Sequence, residues 1–113
     1  MPRSARANAA FTGAVAVFAA LGDETRLRLV SRLCDGGPMS ITRLAVGFPI
    51  TRQAITKHLR VMERAGLVRS APHGRESVWH VERKRLADAR RHLQMISAQW
   101  DETLGRLKRF VER

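Results

Sequence analysis

The sequence predicts a mainly α fold of about five helices with one small two-stranded hairpin. Three observations predict it. The stretch Thr51–Val68 carries a helix start signal, two chemically different faces and a stop signal. Directly after it, the hydrophobic period changes from helical to alternating. From about Arg83 onward there is no proline, and apolar residues recur every seven.

At 113 residues the chain has room for one compact domain with a modest core. Its hydrophobic content of 44% marks a folding sequence and not a disordered basic tail. Lys and Arg number 21 against 10 Asp and Glu, a formal charge of +11. Such a charge attracts polyanions whatever the fold. Nucleic acid is the first partner to consider and an anionic membrane surface the second. Aromatic residues make up only 5% and Tyr is absent, which argues against a binder that stacks single-stranded bases. Cys34 is the sole cysteine. No intrachain disulfide or thiolate metal cage can form within one chain, in keeping with a reducing cytoplasm.

Residues 1–10 read as a flexible basic arm, a winged domain follows over 11–82, and 83–113 reads as a dimerisation helix. Arg3 and Arg6 ahead of the apolar run Ala9–Leu21 also match the outline of a secretion signal. The run is too short to span a membrane, and Gly22-Asp23 reads as a join between helices. A first helix over about Phe11–Leu21 is therefore expected, its apolar residues Phe11, Val15 and Phe18 needing cover such as a second copy of the chain. Asp23 is a good N-cap for helix two, where Leu27, Val30, Leu33 and Cys34 recur at core spacing. Asp35-Gly36-Gly37-Pro38 breaks the chain. Ser40 caps a short helix three, with Ile41, Leu44 and Ala45 facing inward.

Gly47-Phe48-Pro49-Ile50 turns into helix four, which Thr51 caps and Gly66 ends. At about 100° per residue, Ala54, Ile55, His58, Leu59, Met62 and Ala65 share one side. Gln53, Thr56, Lys57, Arg60 and Arg64 share the other, with Arg52 at its edge. That side offers amide, hydroxyl, ammonium and guanidinium donors and no carboxylate near its centre. It suits the major groove of DNA, where bases present acceptors and phosphates line the walls. The plain alternative is a solvated helix face. Two helices joined by a short glycine-containing turn, the second bearing the basic face, make a helix-turn-helix. The strands Leu67–Ala71 and Ser77–Val81 follow, with Pro72–Glu76 as their tip. This hairpin is a wing that carries His73 and Arg75 towards a neighbouring groove or backbone.

In the last helix, Leu86, Leu93, Trp100 and Leu107 repeat every seven residues, with Ala89, Ile96 and Phe110 three later and Leu104 and Val111 widening the stripe. Thr103 interrupts the series. A domain this small has too little core to cover such a stripe, which points to a dimer seam.

These residues together resemble the ArsR-type winged-helix repressors. Phe18–Val30 is similar to the family's entry into helix two, Ile50–Val68 to its recognition helix, and His73-Gly74-Arg75-Glu76 to its wing tip. The match covers Phe11 to about Val81; the last helix matches only in character. The resemblance implies a homodimer built from the first and last helices, two recognition helices in successive major grooves, and repression relieved by a ligand or metal. One departure matters. Metal-sensing members carry paired cysteines at the start of helix three, where this chain reads Gly37-Pro38-Met39-Ser40-Ile41-Thr42-Arg43, without a thiol. Asp88 and His92 on the last helix lack the further ligands of the other common site. The chain thus looks like a member of the branch without a metal site, and no cofactor is expected.

The expected DNA-binding residues are Ser40, Thr51, Arg52, Gln53, Thr56, Lys57, Arg60, His73 and Arg75. The expected dimerisation residues are Phe11, Val15, Phe18, Leu86, Leu93, Ile96, Trp100, Leu104 and Leu107. His58 reads as a packing histidine, Cys34 as a small buried residue, and Arg83, Lys84 and Arg85 as either phosphate contacts or a solvated helix start. Without a phosphate loop, serine elbow or carboxylate pair, nothing supports an enzyme. Two classes remain open: a sequence-specific DNA-binding repressor, and an interaction module of the same fold without operator recognition.

Overall fold

The computed structural model describes residues 3–112 of the chain. Five helices and three strands follow in the order α1 (Arg3–Leu21), α2 (Glu24–Gly36), β1 (Met39–Ser40), α3 (Ile41–Leu44), α4 (Arg52–Arg64), β2 (Val68–His73), β3 (Glu76–Val81) and α5 (Arg83–Val111).

The arm expected over residues 1–10 is, from Arg3 on, the first part of α1; Met1 and Pro2 lie outside the described residues. The cause is local. Ala5, Ala7, Ala9 and Ala10 have the highest helix propensity of any residue, and no glycine or proline interrupts them. The apolar run after Ala10 supplies the tertiary contact that such a short helix needs.

The caps follow the sequence closely. The Asp23 carboxylate accepts from the Arg26 amide at 3.0 Å and starts α2. Ser40 Oγ accepts from the Arg43 amide at 3.4 Å and starts α3, and Thr51 Oγ1 accepts from the Ala54 amide at 3.0 Å and starts α4. At the end of α4, the Leu67 amide donates to the Met62 carbonyl and the Gly66 amide to the Glu63 carbonyl, both at 2.9 Å. This double bond pattern is a Schellman cap, and it requires the φ of +77° that Gly66 adopts.

The sheet has three strands in the order β1-β3-β2, all antiparallel. β2 and β3 form the expected hairpin, but Pro72, His73 and Glu76, expected in its tip, are paired strand residues, and the tip narrows to the two-residue turn Gly74-Arg75. Gly74 has φ +65° and Arg75 does not share it, the pattern of a type II′ turn. The third strand was not foreseen. Met39 pairs with Trp79 and Ser40 with Val78. Two residues are too short for any period to show, and Pro38 ahead of them reads as a break.

One core joins these elements. Val17, Leu29, Leu44, Ile55, Leu59, Met62, Leu67, Val68 and Trp79 are fully buried in it. Leu27, expected at a core position of α2, is half exposed, and Leu29 is buried in its place. The core-facing side of α2 is centred on Leu29, Val30 and Leu33, and Leu27 lies outside that arc.

α5 belongs to this core only at its base, where Ala89 is buried and Leu86 packs against the cluster. At 1.5 Å per residue its 29 residues reach about 44 Å. The longest dimension of the molecule is accordingly 66 Å and its radius of gyration 18.2 Å, against the roughly 13 Å of a compact chain of this length.

Candidate nucleic-acid interface

The recognition candidates gather around α4 and the wing. Ile55, Leu59 and Met62 lock one side of α4 into the core, and Ala54, His58 and Ala65 flank them half-buried. Arg52, Gln53 and Lys57 stand exposed on the other side. Among the described residues, their side chains make no hydrogen bond or ion pair. They present donors with nothing in the chain to receive them.

Four candidates are partly engaged. Thr51 and Ser40 use their hydroxyl oxygens as caps, which leaves each O–H free to donate outward. The Thr56 hydroxyl donates to the Arg52 carbonyl at 2.9 Å, so only its acceptor capacity remains. Arg60 departs furthest from the expectation of a side chain free for DNA. Its guanidinium lies over the Trp79 ring, 5.3 Å from the centroid, and pairs with Glu63 at 2.9 Å. It ties α4 to β3. The periodicity of α4 placed Arg60 on the outer face, but nothing in it revealed that the wing packs there.

At the wing, Arg75 occupies the exposed turn and His73 the last position before it. A cleft of about 540 Å³ runs between the wing and the start of α3, lined by Ser40, Arg43, His73, Glu76 and His80 among others. Arg43 was not among the expected DNA-binding residues. It is exposed, makes no ion pair among the described residues, and sits where the wing meets α3. Its position three after the Ser40 cap was a usable signal, since that spacing returns a side chain to the cap's face of the helix.

Behind α4, the turn between α1 and α2 holds a polar cluster. Arg26 Nε donates to the Ala20 carbonyl at 2.6 Å, and its Nη1 lies 3.5 Å from His58 Nδ1. Asp23 Oδ2 is 3.9 Å from the same nitrogen. The Arg26 amide, with the charges of Arg26 and His58 beside it, holds the Asp23 carboxyl below the usual carboxylate range. His58 is thus a packing residue that ties α4 to the start of α2. Cys34 is half-buried against the core.

The second set of candidates lies along α1 and α5. Leu86 is half-buried and Phe18 packs against the core. Phe11, Val15, Leu93, Ile96, Trp100, Leu104 and Leu107 are exposed, joined by Met95, Phe110 and Val111. Trp100 is 63% and Phe110 72% exposed, far beyond what a packed helix face shows. His92 packs edge-on against Phe11, and its Nδ1 lies 3.0 Å from the Asp88 carbonyl. Asp88 pairs with Arg91. Among the described residues, no group of three or more His, Cys, Asp or Glu gathers as a metal site would require, and no helix is long and apolar enough to cross a membrane.

Comparison with known proteins places this geometry. A family model described as a helix-turn-helix domain matches residues 21–71, from the end of α1 into β2. The HTH-type transcriptional regulator Rv2034 of Mycobacterium tuberculosis is 33% identical, over 74% of this chain and 89% of its own length. An ArsR-like transcriptional regulator from Rhodococcus superposes with a TM-score of 0.72 at 37% identity, covering 88% of this chain and 93% of that one. The homodimeric winged helix-turn-helix DNA-binding domain Mb0332 of Mycobacterium bovis shares the fold, with a TM-score of 0.62 at 20% identity and 88% of each chain covered. With the helix-turn-helix, the wing and the two flanking helices all in place, the chain belongs to the ArsR-type winged helix-turn-helix family of DNA-binding transcriptional regulators.

Proposed function

We propose that this regulator is a homodimeric repressor that occupies an imperfect inverted repeat. α4 lies in the major groove and the wing reaches the adjoining backbone. The observation that carries this reading is the exposed trio Arg52, Gln53 and Lys57, held on a helix that is capped at both ends and locked by its opposite side into the core. Gln53 is the best placed to read a base edge, because an amide can pair bidentately with adenine. Arg52, Lys57, Arg43 and Arg75 suit phosphate, and the hydroxyls of Ser40 and Thr51 add neutral donors beside them.

The bare apolar stripes of α1 and α5 support the dimer. For both α4 helices to enter successive major grooves, the two-fold axis must hold them about 34 Å apart, one turn of duplex DNA. Such a chain acts by binding and not by catalysis. The start of α3 carries no thiol, so the paired-cysteine site of metal-sensing members is not available to this chain.

The test compares three probes in a gel shift at fixed salt: duplex from upstream of the protein's own gene, random duplex of equal length, and RNA. The upstream duplex is expected to be retained at concentrations where random duplex and RNA run free. Equal retention of all three would reduce the chain to a sequence-blind interaction module.

A further inference from the structure

Arg85, in the first turn of α5, meets both α1 and the end of α4. A Cβ placed on Gly13 of α1 would lie 2.9 Å from Arg85 Nη1. A Cβ placed on Gly66 would lie 3.2 Å from Arg85 Nε and 3.3 Å from Cζ. The guanidinium therefore fills space that glycine leaves on either side. No carboxylate lies within ion-pair distance of it among the described residues. Arg85 is exposed, and its guanidinium lies beside Gly66, the residue that closes the C-terminal end of α4, where the helix dipole favours a cation.

Gly13 needs a reason to exist. It sits inside α1, where glycine weakens a helix relative to alanine. The contact with Arg85 supplies that reason. Beside it, the Glu82 amide donates to the Leu67 carbonyl at 2.8 Å, which fastens the start of α5 to the chain leaving α4. The backbone thus joins α5 to α4, and Arg85 extends the joint to α1.

We propose that Arg85 is a positioning residue: seated between Gly13 and Gly66, it sets the angle of α4 against the two dimer helices and so the half-site spacing that the dimer reads. This rests on the homodimer reading above. In a two-fold dimer any tilt of α4 relative to α1 and α5 is applied twice with opposite sense. Spacing is therefore where a small change of angle becomes visible.

The experiment uses the full chain and duplexes recovered from a random pool by the wild-type protein. Affinity is measured on inverted repeats of stepped spacing and on a single half-site, each across a salt series. Gly13→Ala pushes on the flexible tip of Arg85 and restores helix propensity to α1. It is expected to raise Tm, yet to lower affinity at the preferred spacing about three- to tenfold and flatten the spacing profile. Arg85→Ala is expected to flatten the same profile while the half-site affinity and salt slope stay at wild type. Opposite signs for stability and recognition are not what a mere packing contact gives. If Arg85→Ala lowers the salt slope by about one and weakens the half-site equally, Arg85 is a direct phosphate contact and the assignment is wrong. A spacing preference that survives both substitutions also overturns it. A wild-type protein without any spacing preference brings down the dimer reading and this proposal together. Should Arg85→Ala fail to fold, Gly13→Ala decides.

Discussion

α4 and α5 are both basic amphipathic helices with one face turned outward, but they expose opposite things. α4 buries its apolar side in its own core and shows Arg52, Gln53 and Lys57. α5 buries little beyond Ala89 and shows Leu93, Trp100, Leu107 and Phe110. The ends differ too. α4 starts on a hydroxyl cap and ends on a Schellman turn, while Glu82 makes no side-chain cap at the start of α5. A short helix fixed at both ends can aim side chains at a rigid, polar partner. A long helix fixed at its base waits for an apolar partner of similar length. What each face leaves unmatched limits the partner it can take: donors without acceptors suit a polyanion, and methylenes without neighbours suit an apolar surface, which the proposed function fills with DNA and a second copy of the chain.

The largest effect is expected where the apolar side of this comparison is broken. Leu93→Glu places a charge in the middle of the exposed stripe of α5. It is expected to give a monomer, or aggregate, in sedimentation at micromolar concentration. Affinity for the inverted repeat falls by about 100-fold or more, because linked half-sites gain that much from effective concentration. Half-site binding stays unchanged. A wild-type chain that sediments as a monomer would break the contrast outright.

The next effect tests the polar side. Gln53→Ala is expected to cost about 1–3 kcal/mol on the cognate duplex and to relax preference at particular base pairs. Lys57→Ala is expected to weaken cognate and scrambled duplexes alike and lower the salt slope by about one. Fluorescence anisotropy across a salt series on both duplexes separates the two behaviours. If both variants bind the cognate duplex as wild type while folding is intact, α4 is not the reading head.

Most of this contrast was legible in the chain. The caps Asp23, Ser40 and Thr51, the stop at Gly66 and the Gly74 turn are local chemistry, and local chemistry is written in adjacent residues. The heptad-like stripe of α5 showed itself because a period of seven survives without any tertiary knowledge. What stayed hidden needed contacts between distant segments. Arg60 stacks on Trp79 and Arg85 sits against Gly13 and Gly66, and no spacing along the sequence announces either pairing. β1 was missed because two residues paired with β3 carry no period. Residues 3–10 begin α1 for a different reason: the basic charge there suits an arm, but the alanines between the charges favour a helix.

The smallest effect tests the joint behind α4 and appears only in acid. Asp23 caps α2 and lies 3.9 Å from His58 of α4. The Arg26 amide and neighbouring positive charge hold its carboxyl below the ordinary range. A depressed folded-state pKa means the unfolded chain takes up the proton first as pH falls. The stabilisation is therefore complete above the ordinary carboxylate value of about 3.9 and is lost as pH drops through the lower folded value. Asp23→Asn keeps a capping oxygen without the charge. Wild type and Asp23→Asn are expected to differ in Tm at about pH 5, with the wild type higher. The gap then closes as pH falls past about 4, since every other carboxylate is common to both chains. A gap that persists unchanged at pH 3 would show that the carboxylate charge contributes nothing at this cap. The α2–α4 joint would then rest on the neutral hydrogen bond and packing alone.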